Sequence, residues 1–281
     1  MKRGLVLEGG AMRGLFTAGV LDTMMEHGIE FDGIVGVSAG AAFGCNYKSK
    51  QIGRTLRYNV KYCNDPRYCS FLSLLKTGDM YGAKFCYHDL PEKLDIFDFQ
   101  TFESNKTEFY IVCTNIETGE PVYHKMEKCD YDELEWMRAS ASMPLVSRVV
   151  EVGGKKMLDG GISDSIPLKY FESIGYDRNV VVLTQPEGYL KSKNKMISLI
   201  RLRLKKYPKL VDAMARRHEM YNSTLEYIWS QEQAGNILVL CPKESLPVNH
   251  VEHKAENLYA AYNMGKELIC ERLNEVIEYL K

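Results

Sequence analysis

The hydrophobic pattern of the first fifty residues predicts strands that alternate with helices. Residues 3–8 form a short apolar run that ends at two glycines, which is typical of a buried parallel strand. Apolar side chains recur at helical spacing over residues 12–27, and Gly28 follows as a C-cap. Residues 31–37 form a second apolar run, and small residues follow it after Ser38. This strand–helix–strand–helix order favours a parallel sheet that is covered on both faces.

The rest of the chain predicts more strands of the same sheet, with helices around it. Residues 48–105 are polar, aromatic and weakly periodic, which indicates helices and long loops over one face. The pattern further predicts strands over 109–115, 179–184 and 236–241, a hairpin of 148–152 and 155–158 around two glycines, and helices over 135–142 and 253–281.

Composition and charge exclude several classes of protein. The chain is 45% hydrophobic and 26% charged with a net charge of −1, so it has no overall field that would gather nucleic acid. Its eight cysteines are scattered and form no C-x-x-C pair, which favours buried, reduced side chains. The first apolar run is too short for a signal peptide, and no stretch approaches the roughly 18 apolar residues of a membrane span. We therefore expect a cytoplasmic protein.

The sharpest local motif is G-x-S-x-G, formed by Gly36, Ser38 and Gly40. A nucleophilic serine needs a tight turn from strand to helix that exposes its hydroxyl, and flanking glycines relieve the crowding of such a turn. The following helix points its N-terminus towards a developing oxyanion. The pentapeptide alone arises easily by chance, but here an apolar strand precedes it and a small-residue helix follows it.

A glycine-rich loop with the sequence E-G-G-A-M-R-G lies between the first strand and the first helix, and it contains Gly9, Gly10, Ala11 and Arg13. Backbone N–H groups of such a loop can hold an anion at a helix N-terminus. The spacing fits neither common nucleotide-binding motif. The loop is therefore an oxyanion hole for the serine on the next strand, or simply a tight turn. Arg13 is either a solvated charge or a group that orients the loop or a substrate phosphate.

A D-G-G sequence at Asp159 and Gly160 follows the predicted hairpin. Taken alone, D-G-G is most often a turn. A serine hydrolase nevertheless needs a base, and Asp159 could accept the Ser38 proton directly if the site raises the pKa of its carboxyl.

Together these motifs resemble the signature blocks of the patatin-like phospholipases, in the bacterial form of that family. The order is E-G-G-A-M-R-G, G-V-S-A-G and D-G-G, with R-A-S-A-S-M-P at residues 138–144 similar to a further block of the family. The resemblance implies a three-layer α/β/α sandwich with a mostly parallel central sheet. It implies a catalytic core over residues 4–170, with residues 171–281 completing the sheet and adding helices.

The same resemblance implies what the site does. Ser38 and Asp159 would form a catalytic dyad, and the N–H groups of Gly9, Gly10 and Ala11 would form the oxyanion hole. Arg13, Gly36, Gly40 and Gly160 would support the site, which would hydrolyse acyl esters of lipids without a metal or cofactor. Ala11 stands where the family usually has glycine, and alanine adopts a positive φ only at a cost. A lipid-binding scaffold with a weakened oxyanion loop is therefore the alternative from another class of protein.

Two further features have competing interpretations. His218, His250 or His253 could complete a Ser–Asp–His triad, but Ser38 lies too early in the chain for an α/β-hydrolase. His250 and His253 also form a loose H-x-x-H, without a third metal ligand at a familiar spacing. The basic stretch 201–217 could rest on anionic lipid as a peripheral membrane contact, although we favour a solvated helix face.

Overall fold

The computed structural model describes residues 1–281 as a central sheet of eight strands with helices on both faces. The hydrogen-bonded pairs connect the strands in the order β5 (Val150–Val152), β6 (Lys155–Asp159), β3 (Glu108–Asn115), β2 (Gly33–Val37), β1 (Lys2–Leu7), β7 (Tyr176–Val182) and β8 (Ile237–Leu240), with β4 (Pro121–Lys125) also paired to β3. Neighbouring pairs among β1, β2, β3, β7 and β8 are parallel, whereas β4 and β6 are antiparallel to β3. The predicted three-layer sandwich with a mostly parallel sheet is confirmed.

The strands are short and the helices vary widely in length. The helices are α1 Gly14–Glu26, α2 Ala39–Lys48, α3 Arg54–Tyr62, α4 Phe71–Thr77, α5 Phe99–Ser104, α6 Tyr131–Ser140, α7 Leu168–Ser173, α8 Ile197–Arg203, α9 Pro208–Gln233 and α10 Ala255–Tyr279. A π-helical segment, Phe85–Leu94, precedes α5.

Alternation along the strands divides the core into two layers. Leu5 and Leu7 of β1 face a cluster that includes side chains of α1 and α10. Val6, between them, faces the opposite cluster, which includes side chains of α7 and α9. Because successive side chains of a strand point to opposite faces, one buried apolar strand supports both helical layers.

One edge of β3 brings the ends of two strands together. β4 pairs with Tyr110–Thr114, a stretch that overlaps the pairings of both β2 and β6, so β2 and β6 must share the other edge. β2 ends with Val37 opposite Val112, and β6 ends with Asp159 opposite Cys113. The two strands run towards each other along this edge, so the residues at their ends meet.

The structure corrects several expected elements. The sequence pattern did not predict β4, whose side chains are only partly buried and show no clear alternation. The basic stretch 201–217 is divided between the end of α8 and the start of α9, because Pro208 begins a new helix as its first residue. The two-glycine hairpin is present as predicted, with positive φ at both Gly153 and Gly154.

The residues after 170 pack directly against the earlier part of the chain. β7 lies between β1 and β8 in the sheet. Helix α10 crosses α1 so closely that a Cβ on Gly265 would lie 2.1 Å from the Phe16 carbonyl oxygen, and one on Gly19 would lie 2.0 Å from that of Tyr262. No helix is both long and apolar enough to cross a membrane.

Candidate active site

Ser38 occupies the sharp turn between β2 and α2. Its backbone has φ 54° and ψ −120°, a combination that costs energy for any residue with a side chain. The turn leaves no space beside it, since a Cβ on Gly36 would lie 2.6 Å from the Ala41 backbone and one on Gly40 would lie 2.5 Å from the Leu7 carbonyl oxygen. The glycines of the motif are therefore required by close packing, and the hydroxyl is left facing a pocket.

Asp159 lies at the end of β6, beside Ser38, with 3% of its surface exposed. Its Oδ1 accepts a hydrogen bond from the N–H of Gly161 at 2.7 Å. Burial raises the pKa of Asp159 above the ordinary value of an aspartate, while Arg217, the Ser38 hydroxyl and the Gly161 N–H act in the opposite direction. A carboxyl with a raised pKa is a stronger base than a solvated one.

The R-A-S-A-S-M-P block links these two residues physically. The Ser140 hydroxyl accepts a hydrogen bond from the Ser38 N–H at 2.9 Å and donates one to the Val112 carbonyl at 2.7 Å. Two residues later, the Ser142 carbonyl accepts a hydrogen bond from the Asp159 N–H at 2.9 Å. The end of α6 thus holds the serine turn and the aspartate at a fixed separation.

The glycine-rich loop presents free donors beside Ser38. The N–H groups of Gly9, Gly10, Ala11 and Ala39 make no hydrogen bond to another protein atom. Gly9 lies against the serine turn, since a Cβ there would be 3.0 Å from the Cβ of Ser38. Buried backbone N–H groups without a protein partner are rare, and a helix N-terminus favours negative charge, so this group is suited to receive an oxyanion.

Ala11 has a φ of 49°, in the left-handed region that favours glycine. The strain expected from an alanine at this position is therefore present. The loop nevertheless keeps its shape, and Ala11 lies on the wall of the pocket with Ser38. Alanine in place of glycine at position 11 therefore costs conformational energy, but it does not block the neighbouring N–H groups.

A buried carboxylate anchors this loop to the C-terminal half of the chain. Glu8 accepts hydrogen bonds from the N–H and hydroxyl of Thr184, after β7, at 2.6 and 3.0 Å. It also accepts one from the Tyr221 hydroxyl, on α9, at 2.6 Å. Three donors satisfy a carboxylate that is 1% exposed, and so fix the loop that it precedes. No sequence motif identifies Thr184 or Tyr221.

Helix α9 also contributes Arg217, which the sequence did not identify as a site residue. Its Nε donates a hydrogen bond to the Gly161 carbonyl, and its charge lowers the pKa of Asp159.

Two more cations lie near the glycine-rich loop. Lys191 lies over the Tyr221 ring, 4.2 Å from its centroid. Burial and the nearby Arg217 lower the pKa of Lys191 to about 8. Neither Arg217 nor Lys191 forms an ion pair. Arg13 is also unpaired, and this half-buried side chain makes only a weak contact of 3.5 Å with Thr184.

A pocket of about 630 Å³ opens beside Ser38 and Ala11 and is lined mainly by hydrophobic side chains. Its walls come from α2, the π-helical segment, α6 and the loop after α6, and include Phe43, Tyr87, Leu90, Met137 and Met143. Met12, at the start of the first predicted helix, also lines it. A pocket of this size and polarity accommodates an acyl chain.

The histidines do not complete a triad in this structure. No histidine side chain hydrogen-bonds to Asp159 or Ser38. His250 lies at the pocket mouth, whereas the ring of His253 contacts the Cys63 carbonyl at 2.6 Å. His218 is on α9, where its Nδ1 has no partner.

Comparison with known families shows to which family the chain belongs. The family model of the patatin-like phospholipases matches residues 5–172, which is more than half of the chain. The protein belongs to this family. The match spans all four motifs of the site and agrees with the resemblance noted in the sequence. A second model, a domain of unknown function named DUF6363, matches residues 207–281 and so includes both Arg217 and Tyr221.

Relatives of this patatin-like protein share only part of their length with it. It is 33% identical over 192 residues to the uncharacterized protein YjjU of Escherichia coli, covering 65% of this chain and 52% of YjjU. It is 27% identical over 186 residues to lysophospholipase nte1 of Aspergillus oryzae, covering 62% of this chain and 11% of that protein. Among solved structures, VipD of Legionella pneumophila aligns with a TM-score of 0.47 and 12% identity, over 98% of this chain and 67% of VipD.

Proposed function

We propose that this patatin-like protein is a serine hydrolase that cleaves acyl esters of lipids through a dyad of Ser38 and Asp159. One observation carries the proposal: a buried aspartate and a serine in a strained turn meet at one edge of β3, at the mouth of an apolar pocket. The lysophospholipase relatives support a lipid ester as the substrate.

In the first half-reaction, the Ser38 Oγ attacks the ester carbonyl carbon while Asp159 accepts the hydroxyl proton. The carbonyl oxygen becomes an oxyanion, which the N–H groups of Gly9, Gly10 and Ala11 stabilise. Removal of one such donor typically costs about 3 kcal/mol of barrier. Collapse of the intermediate transfers the Asp159 proton to the departing alcohol and leaves the acyl group on Ser38.

In the second half-reaction, water attacks the acyl-enzyme and gives its proton to Asp159, which returns it to Ser38 as the fatty acid leaves. The acyl chain occupies the apolar pocket during both steps. The unpaired charges of Arg13, Lys191 and Arg217 favour the negative charge that develops on the substrate, because they lie around the loop that binds it.

Reaction with a fluorophosphonate probe and hydrolysis of a short-chain nitrophenyl ester test the proposal. We expect the intact protein to be labelled and active, Ser38→Ala to lose both properties, and Asp159→Asn to lose turnover by about 10²-fold or more. The His250→Ala and His218→Ala variants serve as controls and should retain activity. Loss of activity in either histidine variant would favour a triad instead.

The scaffold alternative depends on Ala11 alone. The structure leaves the loop donors free despite the strain at Ala11, so nothing in the geometry favours a non-catalytic protein. An intact chain that neither labels nor turns over a soluble ester, while the Ala11→Gly variant does both, would show that Ala11 disables the site.

A further inference from the structure

We propose that the mouth of the pocket is a docking surface for an anionic lipid bilayer, formed by residues 188–206 and helix α4. We call this surface the docking face. It is where the proposed hydrolase would meet its lipid substrate, so the inference rests on the proposed function. Three observations support it: an excess of unpaired cations, exposed large apolar side chains, and continuity with the pocket that contains Ser38.

The charge of the segment is entirely positive. Residues 188–206 contain seven lysines and arginines and no aspartate or glutamate, in a chain whose net charge is −1. None of these seven side chains forms an ion pair. The exposed cations of the docking face are Lys193, Lys195, Arg201, Arg203, Lys205 and Lys206. Such a run is complementary to a negatively charged headgroup layer.

Large apolar side chains stand among these cations. Leu190 and Leu202 are 70% and 69% exposed, and Met196 and Leu199 are also exposed. On α4, Phe71 and Leu75 are 75% and 84% exposed. Only Ile200 of α8 is buried, so Leu199 and Leu202 leave part of the apolar side of α8 exposed.

A chain of contacts along the pocket links α4 to α8. Met196, immediately before α8, lines the pocket together with Met80 and Val146. The Met80 N–H donates a hydrogen bond to the Val146 carbonyl at 2.8 Å, which ties the segment after α4 to the loop after α6. That loop in turn packs through Leu145 against the cluster that contains Ile200. Met196 therefore brings the docking face to the pocket that contains Ser38, and Met80, three residues after α4, lies on the same pocket wall.

This combination fits a bilayer better than a solvated surface. Apolar side chains that enter the boundary between headgroups and acyl chains gain by leaving water, and cations beside them pair with lipid phosphates. Binding in this orientation turns the pocket mouth towards the membrane. An acyl ester could then enter the pocket without first crossing water.

Vesicle co-sedimentation of the full chain tests the docking face, and the Ser38→Ala background keeps the lipid intact. We expect binding to vesicles of phosphatidylcholine mixed with phosphatidylglycerol, weak binding to pure phosphatidylcholine, and loss of binding as salt is raised. Each cation near such a surface contributes roughly a factor of five in affinity, so Arg201→Glu with Arg203→Glu should weaken binding by at least about 25-fold. Phe71→Ser with Leu202→Ser should also weaken it.

The matched control is Lys106→Glu with Lys128→Glu. Both lysines are exposed and unpaired, and they lie near the start of β3 and beyond the end of β4, at the end of these strands away from Ser38. This control should bind as the parent does. Equal loss in both pairs would indicate a general charge effect and overturn the proposal, as would equal affinity for neutral vesicles or no binding at low salt.

Hydrolysis of a soluble short-chain ester, measured with Ser38 intact, separates this inference from the proposed function. We expect the docking-face variants to hydrolyse that ester normally and to lose activity only on vesicles. A protein that binds anionic vesicles but hydrolyses nothing would refute the enzyme and keep the docking face. Dimers in solution that dissociate in the Phe71→Ser, Leu202→Ser variant would assign the face to a second copy of the chain and refute the bilayer.

Discussion

At the scale of single residues, the site concentrates conformational strain where substrate would bind. Ser38 and Ala11 both have positive φ angles although neither is glycine, and both line the pocket. Neighbouring contacts keep both residues in these conformations. The Ser140 hydroxyl bonds the backbone N–H of Ser38, and Glu8, which is bonded by Tyr221, anchors the start of the loop that contains Ala11. Strain of about 1–3 kcal/mol per residue persists only where neighbouring structure enforces it.

The charge of Arg217 acts on the pKa of Asp159, which gives a testable pH dependence. Its positive charge lowers the pKa that burial raises. Since the base must be ionised, the rate should fall as pH drops through this pKa. Removing the charge in Arg217→Gln should therefore move the acidic limb of the kcat/KM profile to higher pH, measured with a soluble ester. Ionisation of Asp159 should also lower stability as pH rises through the same pKa.

Two variants control the Arg217 experiment. Arg216→Gln removes a neighbouring charge that is exposed and paired with Glu219, so its profile should match that of the parent. Arg217→Lys keeps the charge, so the acidic limb of its profile should lie close to that of the parent. An acidic limb that stays in place in Arg217→Gln would show that this arginine does not act on Asp159.

At the scale of elements, the end of α6 connects the ends of β2 and β6. Ser140 and Ser142 both lie there, but only the Ser140 side chain reaches the serine turn. Ser142 contributes its backbone carbonyl to Asp159, while its hydroxyl bonds the Arg138 carbonyl within the same turn. The two serines of one motif therefore have different roles, which permits a matched comparison.

Ser140→Ala should damage both stability and turnover. It leaves the Ser38 N–H and the Val112 carbonyl without their partner, which we expect to cost about 1–3 kcal/mol in urea unfolding. Displacement of the serine turn should lower kcat by at least about tenfold. Ser142→Ala keeps the backbone bond to Asp159 and should change both quantities little. Equal effects of the two substitutions would contradict the assigned role of Ser140.

At the scale of the whole molecule, the residues matched by DUF6363 are needed to build the patatin-like site. Helix α9 supplies Tyr221 to Glu8 and Arg217 to Gly161, while α10 packs against α1. The division at residue 170 remains a prediction, but the contacts on both sides of it place the two parts in one structure.

The contact between α1 and α10 predicts the sign of a stability change. Helix propensity alone would make Gly265→Ala stabilising by about 1 kcal/mol. The added methyl group would instead lie 2.1 Å from the Phe16 carbonyl oxygen, so the helices must separate. Overpacking typically costs about 1–3 kcal/mol, and we expect a net loss of stability in thermal or urea unfolding. A more stable variant would show that the helices do not touch here.

The sequence by itself determined most strands of the sheet, the serine turn and the order of the motifs, because hydrophobic period and glycine positions act over a few residues. It could not show that Asp159 meets Ser38, since D-G-G alone is a turn and only the pairing of β2 and β6 along β3 brings them together. Nor could it reveal Tyr221, which lies 213 residues from its partner Glu8. Contacts over such distances depend on how helices pack across the sheet, which no local pattern encodes.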